Sequence, residues 1–377
     1  MPTDPNAISL VVGGNVFGGW MEMTVSRALD RLKSHFVIGC SDAWVTNGAP
    51  WQITPFSPCA VKIGTDTVLT GYVDEYAADA DHSTHRVTIT GGSKTGDLVE
   101  CTSPIKGGQF KGYTLAQIAR AICANYGIGV IVQADCSQIF PDATMQRCET
   151  DFVFLERLGR MAGVLLTDDA MGNLVLTSTG TQRTTDSLIQ GQNLRRLGCK
   201  LNVEHRFSIY TLKGQRALGS TSADSWNEAP AAGIAPVVTN MQAQATDAGV
   251  PRFRPHTSMA EAQLDQAGMQ RRVNWERNYA IGRATVATVT VDGWRQSDGT
   301  LWDVNRLVRV TAPFLQLDQD LLIAEVTYKI DAQGTRTEMR LGPVEGFTPD
   351  PGQVKLHVKK GKKVKGGGAS WDGAGGA

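Results

Sequence analysis

Two stretches of the chain carry residue types that could do chemistry. His82 and His85 stand three apart beside Asp79 and Asp81. A metal site built on them needs a third ligand at matching geometry. The polar run from Asp79 to Thr84 reads more simply as a solvated hairpin tip. Asp168 and Asp169 are adjacent carboxylates of the kind used in paired acid–base work. Yet Asp169-x-x-Gly172-Asn173 is also the composition of a hairpin turn, and both aspartates are expected to be turn residues. The other histidines, His35, His205, His256 and His357, are scattered. No GxSxG, HExxH or P-loop is present, and no GxGxxG follows a strand. Gly13-Gly14 and Gly18-Gly19 fall too close together, in hairpin context, to cradle a phosphate. The pattern therefore offers no catalytic, cofactor-binding or metal-ligating residue, and no enzyme is expected.

Charged and aromatic features point to surfaces rather than reactions. Arg271, Arg272 and Arg277 share a stretch with Glu261, Asp265 and Glu276, a mixed-charge helix face. Lys355, Lys359, Lys360, Lys362, Lys363 and Lys365 form a basic run before a Gly/Ala/Ser end; residues 349–377 are expected to be disordered. Trp20, Trp294 and Trp302 sit near strand ends, where core packing is the default.

The element best defined by its pattern is Thr150–Ser178. Phe152, Leu155, Leu158 and Ala162 make one helical face, and Gly163 supplies a left-handed stop. Val164–Leu166 and Leu174–Leu176 then form a hairpin. Before it, Thr114 and Gln117 make a capping box for a helix with the stripe Leu115, Ile118, Ala119 and Ile122, stopped at Gly127; a short strand follows over 129–133. Residues 94–187 thus read as a small α+β domain, with Gly107-Gly108 as a hinge candidate.

On either side the period is two. Residues 7–93 hold at least six short strands, with turns at Gly13–Asn15 and Gly64–Asp66 and a short helical turn expected over Ala28–Ser34. Strand patterning returns over 202–212 and again from 284 to 341. Between these, residues 219–257 lack periodicity, and Ser258 with Glu261 suggests a capping box opening a long polar helix to Asn278. The expected architecture is mixed β and α+β: a β-barrel domain over 1–93, the α+β domain over 94–187, and a second β-barrel over 188–215 and 283–348. An inserted domain over 216–282 interrupts the second barrel. The segments 61–91 and 308–342 echo one another weakly, as a duplicated barrel would.

Composition removes several function classes. The 377 residues include 37 basic and 37 acidic side chains, for a formal net charge of zero, so no global field draws the chain to DNA or to a membrane surface. Seven cysteines without any CxxC argue against a disulfide framework or zinc site and for free thiols in a reducing compartment. Neither a signal peptide nor a membrane-spanning run is visible.

The order of several segments resembles the baseplate hub proteins of Mu-like contractile-tailed phages, the late control D class. These are VFGGWMEMTVSRALDRLKSHFVIG near the start, LTGYVDEYAADADHSTHRVTITGGSKTGDLVEC and GGQFKGYTLAQIARAICANYGI. VDGWRQSDGTLWDVNRLVRVTAP and RLGPVEGF follow towards the end. The resemblance covers roughly residues 7–350. It implies a structural, non-enzymatic hub: a homotrimer whose two barrels per chain make a pseudo-sixfold ring joining a hexameric tail tube to a trimeric spike. Tape-measure and wedge proteins would be further partners. Genomic DNA would pass transiently through the pore, membrane association would not be stable, and the protein would assemble in the host cytoplasm and reside in the virion. No site residue transfers with the resemblance. A tail-associated cell-wall hydrolase and a carbohydrate- or receptor-binding module are the alternatives.

Overall fold

The computed structural model describes residues 5–41, 53–80, 85–103, 108–180, 182–218, 237–260, 266–315 and 317–349. His82, Asp81, Gly107, Glu261, Asp265 and the Lys-rich tail beyond Pro349 lie outside them.

The first β-region is β1 (Ile8–Val12), β2 (Asn15–Phe17), β3 (Glu22–Ala28), β4 (Arg31–Ser41), β5 (Pro58–Ile63), β6 (Asp66–Ala80) and β7 (His85–Ser93). The turns at Gly13-Gly14 and Gly64 form as expected, with positive φ at each glycine. The helical turn expected over Ala28–Ser34 is instead the corner of a β-hairpin. Leu32, Ser34, Phe36 and Ile38 are all buried on one face of β4, so the period of two reaches back through the segment and leaves no room for a helix.

The middle region holds α1 (Gly96–Glu100), β8 (Gln109–Phe110), β9 (Tyr113–Thr114), α2 (Leu115–Cys123), β10 (Val130–Val132), β11 (Ile139–Phe140), β12 (Ala143–Thr144), α3 (Asp151–Ala162), β13 (Leu165–Asp168) and β14 (Leu174–Thr177). The Thr114/Gln117 capping box is complete in both directions. Thr150 caps α3, and Gly163 ends it at φ 70°, a conformation an L side chain would strain. The buried face of α3 is turned from the expected stripe. Phe154, Leu155 and Leu158 are buried, while Phe152 and Ala162 only flank the core. The expected stripe put Phe152 and Leu155 in phase, but Phe154 and Leu158, four apart, share the buried face. These helices, with Leu32 from β4, enclose a second hydrophobic core.

After it come β15 (Gln182–Arg183), β16 (Leu188–Ile189), β17 (Arg196–Leu201), β18 (Ile209–Leu218), β19 (Val237–Thr246), β20 (Pro255–Met259), α4 (Gln266–Arg283), β21 (Thr285–Asp292), β22 (Arg306–Ala312), β23 (Leu317–Asp331) and β24 (Gly334–Gly342). Two expectations change here. Residues 209–215, placed with the second β-region, belong to β18, which pairs with β19 and β20 in a separate three-stranded sheet. That sheet packs on α4 around Tyr210, Leu212, Met269 and Val273. Ser258 does not cap a helix. It lies in β20, where backbone pairing to β18 holds it extended, and its hydroxyl donates to Glu276 of α4 at 2.9 Å. α4 runs on to Arg283, where Gly282 lets its backbone approach Gly346 closely enough that a Cβ would collide.

The two outer β-regions form one sheet. Its strand path is β17-β21-β24-β23-β3-β4-β7-β6-β5-β1-β2, with β22 paired to β23 beside this path. β3 pairs with β23 and so joins the two halves, and a single apolar core runs through both. The fold is mostly β, with a large antiparallel sheet; no pairing among the described residues closes either half into a barrel.

The echo seen in the sequence has a structural counterpart. β6 and β23 each span 15 residues, β7 and β24 each nine. β6 pairs with β7 through Val73↔Gly91, then slips by one residue to Glu75. β23 pairs with β24 through Ile323↔Leu341, then slips in the same way to Glu325. Both members of each pair are offset by 250 positions. The orders β3-β4-β7-β6-β5 and β17-β21-β24-β23-β22 correspond strand for strand.

Candidate functional site

The structure separates the two adjacent aspartates. Asp169 is a turn residue: its carboxylate accepts from the backbone N–H of Met171 and of Asn173 and from the Asn173 amide. Asp168 is not in the turn. It ends β13 and is buried. Asp79 lies near the end of β6 and is exposed. Among the described residues, no three His, Cys, Asp or Glu side chains are grouped to hold a metal ion.

Asp168 is the centre of a buried polar junction where three regions meet. One carboxylate oxygen accepts from the Ser34 hydroxyl of β4 at 3.0 Å, the other from Thr95 at 3.4 Å. Thr95 is 2.7 Å from the Ser93 hydroxyl, which accepts from the Ser34 N–H. Arg27 of β3 donates to the Asp168 backbone carbonyl at 3.0 Å and to the Asp303 carboxylate at 2.7 Å. The first β-region, the α+β region and the second β-region are thereby tied at one point. Burial pushes the Asp168 carboxyl above the ordinary carboxylate range, and the Arg27 charge and the hydroxyl donors offset this only in part. The Arg27 guanidinium is also buried, but Asp303 and Asp168 hold it charged. Its Nε has no hydrogen-bond partner.

The sequence held a signal for this junction that motif reading passes over. Met23, Val25 and Arg27 share the inward phase of β3, and Leu32, Ser34 and Phe36 share that of β4. A charged side chain in phase with buried apolar ones must be paired, because an isolated buried charge is too costly. Its partners lie 141 and 276 positions away, beyond any local pattern.

The second polar feature is α4. Arg272 pairs with Glu276 at 3.2 Å, one turn apart, and lies over the Trp275 ring at 4.9 Å. Trp275 stacks on Tyr279 with centroids 4.9 Å apart. Arg277 bonds to its neighbour Asn278. Of the expected mixed-charge face, Arg271, Arg272, Glu276 and Arg277 lie on α4, while Glu261 and Asp265 fall outside the described residues. Open clefts flank α4. One, of about 460 Å³, is lined by His205, Phe207, His256 and Tyr279. Another, of about 320 Å³, lies between α3 and α4 and is lined by Phe152, Arg160, Trp275 and Phe347. Trp20, Trp294 and Trp302 are buried, as expected of core residues. All seven cysteines are unbridged. No helix among the described residues is long and apolar enough to cross a membrane.

A three-region β / α+β / β chain with a duplicated strand module has its counterparts among phage-tail proteins. The structure is similar to the 43 kDa tail protein of prophage MuSo2 from Shewanella oneidensis. The TM-score is 0.79 at 31% identity, over 92% of this chain and 100% of that one. It shares its fold with a tail protein of Neisseria meningitidis MC58, with a TM-score of 0.74 at 19% identity over 92% and 99% of the two chains. Three family models match in order. They are Mu phage baseplate assembly protein GpP-like, N-terminal (7–93), baseplate hub protein gp44-like, second domain (95–178), and Mu phage baseplate assembly protein GpP, fourth domain (265–350). Over 348 residues the chain is 32% identical to the baseplate hub protein gp44 of Escherichia phage Mu, covering 91% of this chain and 89% of that protein. The chain belongs to the Mu-type baseplate hub family, a structural component of the phage tail.

Proposed function

We propose that three copies of this chain form a closed ring of near-sixfold symmetry that adapts a hexameric tail tube to a trimeric spike. The observation carrying this reading is the duplicated strand module, with its shared bulge and its shared offset of 250 positions. Two like modules per chain give six ring positions from three chains, so one face can match a sixfold partner and the other a threefold one. The modules are barrel-like: one drawn from residues 1–93, the other from β17 and residues 283–348. The α+β region (94–187) sits outside the ring, braced through the Asp168 junction, and the sheet carrying α4 is an insertion in the second module. The pore passes the tape-measure protein and, transiently, genomic DNA. Wedge proteins meet the outer regions, and the particle assembles in host cytoplasm without a stable membrane contact. The protein works by shape and interfaces rather than by catalysis.

Light scattering behind size-exclusion chromatography tests the reading, with a three-chain particle as the expected result and a ring with a central hole in electron micrographs. A stable monomer at high concentration, with no tube or spike protein able to recruit it, overturns it. A zymogram with cell-wall clearing would replace it by the hydrolase reading.

A further inference from the structure

Within one chain the two modules are joined edge to edge by β3 and β23, antiparallel, in the register Val25↔Tyr328, Thr24↔Lys329, Met23↔Ile330. Both Val25 and Tyr328 are buried there. The duplication assigns a counterpart to each partner. β23 beyond its bulge corresponds to β6 beyond Val73, with Tyr328 matching Ala78. β3 corresponds to β17. Val25 opposes Phe36, which opposes Gly91; Cys199 opposes Ala287, which opposes Leu341. Val25 therefore matches Cys199. Among the described residues, β6 beyond Val73 pairs only with β7, and β17 pairs only with β21. Open strand edges are templates for pairing with another chain.

We propose that β17 of one copy adds to the end of β6 of the next, antiparallel, in the register Ala78↔Cys199, Asp79↔Gly198, Ala77↔Lys200. This rests on the ring reading above and names the surface that closes the ring. The occupant is a second copy of this chain because the missing half of each edge is supplied by the other edge, in a geometry the chain already uses once internally. Charge agrees. β6 presents Asp74, Glu75 and Asp79 as exposed side chains, whereas β17 presents Arg196 and Lys200. In the proposed register Asp79 stands diagonally between Arg196 and Lys200, and such diagonal pairs are within reach of long side chains. Leu201, 69% exposed at the end of β17, gains cover. The contact is head to tail, so it closes a ring when its rotation matches that of the β3–β23 joint.

Oxidative cross-linking in the full-length protein tests the register. Ala78→Cys treated with diamide should yield covalent oligomers through the native Cys199, and adding Cys199→Ser should abolish them. Ala77→Cys, whose side chain points to the other face, should cross-link about tenfold less, because disulfide geometry is narrow. In parallel, Lys200→Glu should shift the particle toward monomer by light scattering, and Asp79→Lys in the same chain should restore it. Intact rings in which Ala78→Cys cross-links no better than Ala77→Cys, with Lys200→Glu still assembled, would overturn the strand pairing and leave the ring standing. A wild-type monomer would instead overturn the ring.

Discussion

Replacing Arg27 by Met should destabilise the protein by about 3 kcal/mol, the lower end of what removing one partner of a buried ion pair costs. The lower end applies because Asp303, one of its two partners, is 38% exposed at the side chain and is rescued by water. Asp168 is not rescued. Its carboxylate stays buried with two hydroxyl donors and loses the only cation shown to offset its burial. Asp168→Asn should cost only about 1 kcal/mol, since an amide oxygen still accepts from Ser34 and the backbone carbonyl still receives Arg27. The two changes should not add. With no charge left at position 168, the double variant should be about 1–2 kcal/mol more stable than the sum of the singles predicts. Burial raises the Asp168 carboxyl, so the folded state binds this proton more tightly than the unfolded state does. This group's contribution to stability therefore falls as pH rises from the ordinary carboxylate range through the raised value, and is level above it. In Arg27→Met the fall should extend to higher pH. Urea titrations at pH 5 and pH 7 read both effects, scored on the transition that includes the β-sheet because a chain of this size need not unfold in two states. A cost below 1 kcal/mol for Arg27→Met, or strict additivity with Asp168→Asn, would refute the idea that these residues form one junction.

Other perturbations separate the elements. Phe154→Ala should cost about 3–5 kcal/mol by leaving a cavity between α2 and α3, while Phe152→Ala, at the rim, should cost far less; thermal unfolding distinguishes them. Leu155→Asp or Leu158→Asp should unfold the α+β region outright by burying an unpaired charge and should lower the yield of assembled particle in size-exclusion profiles. With a thiol reagent at mildly alkaline pH, Cys101 and Cys148 should react in the folded protein, being exposed. Cys59 and Cys123, buried and pushed up to about 12, should react only after unfolding.

What could be read directly from the residues is what depends on near neighbours. The capping box at Thr114, the stops at Gly127 and Gly163 and the turns at Gly13 and Gly64 each rest on a few consecutive side chains, and each formed. The helix α4 was legible as a helix but not in its start, because Ser258 is drawn into β20 by pairing with β18, a partner some 46 positions earlier. The same limit explains the two aspartates. Asp169 satisfies its turn locally, so the composition of the turn was enough. Asp168 has identical chemistry, and only the approach of β3, β4 and Thr95 makes it a buried carboxyl. No window of sequence contains all of them.

The duplication shows how low identity can coexist with a tightly kept geometry. Gly71 and Gly91 crowd against neighbouring backbone or rings in the first module, whereas their counterparts in the second are Leu321 and Leu341. Side chains have diverged to suit two different surroundings, yet the slip after Val73 and after Ile323 falls at the same place in both. A bulge re-aims the strand beyond it, so in both modules the segment after the slip leaves its first neighbour and is free to meet another strand. In β23 that strand is β3, and the chain's own covalent continuity supplies it. In β6, on the pairing proposed above, it comes from a second copy. Selection on an edge that pairs with a second copy would act on strand direction and register more strongly than on residue identity, because backbone hydrogen bonds carry the pairing. This accounts for an echo faint in the letters of the sequence yet kept in register where β6 meets β7 and β23 meets β24.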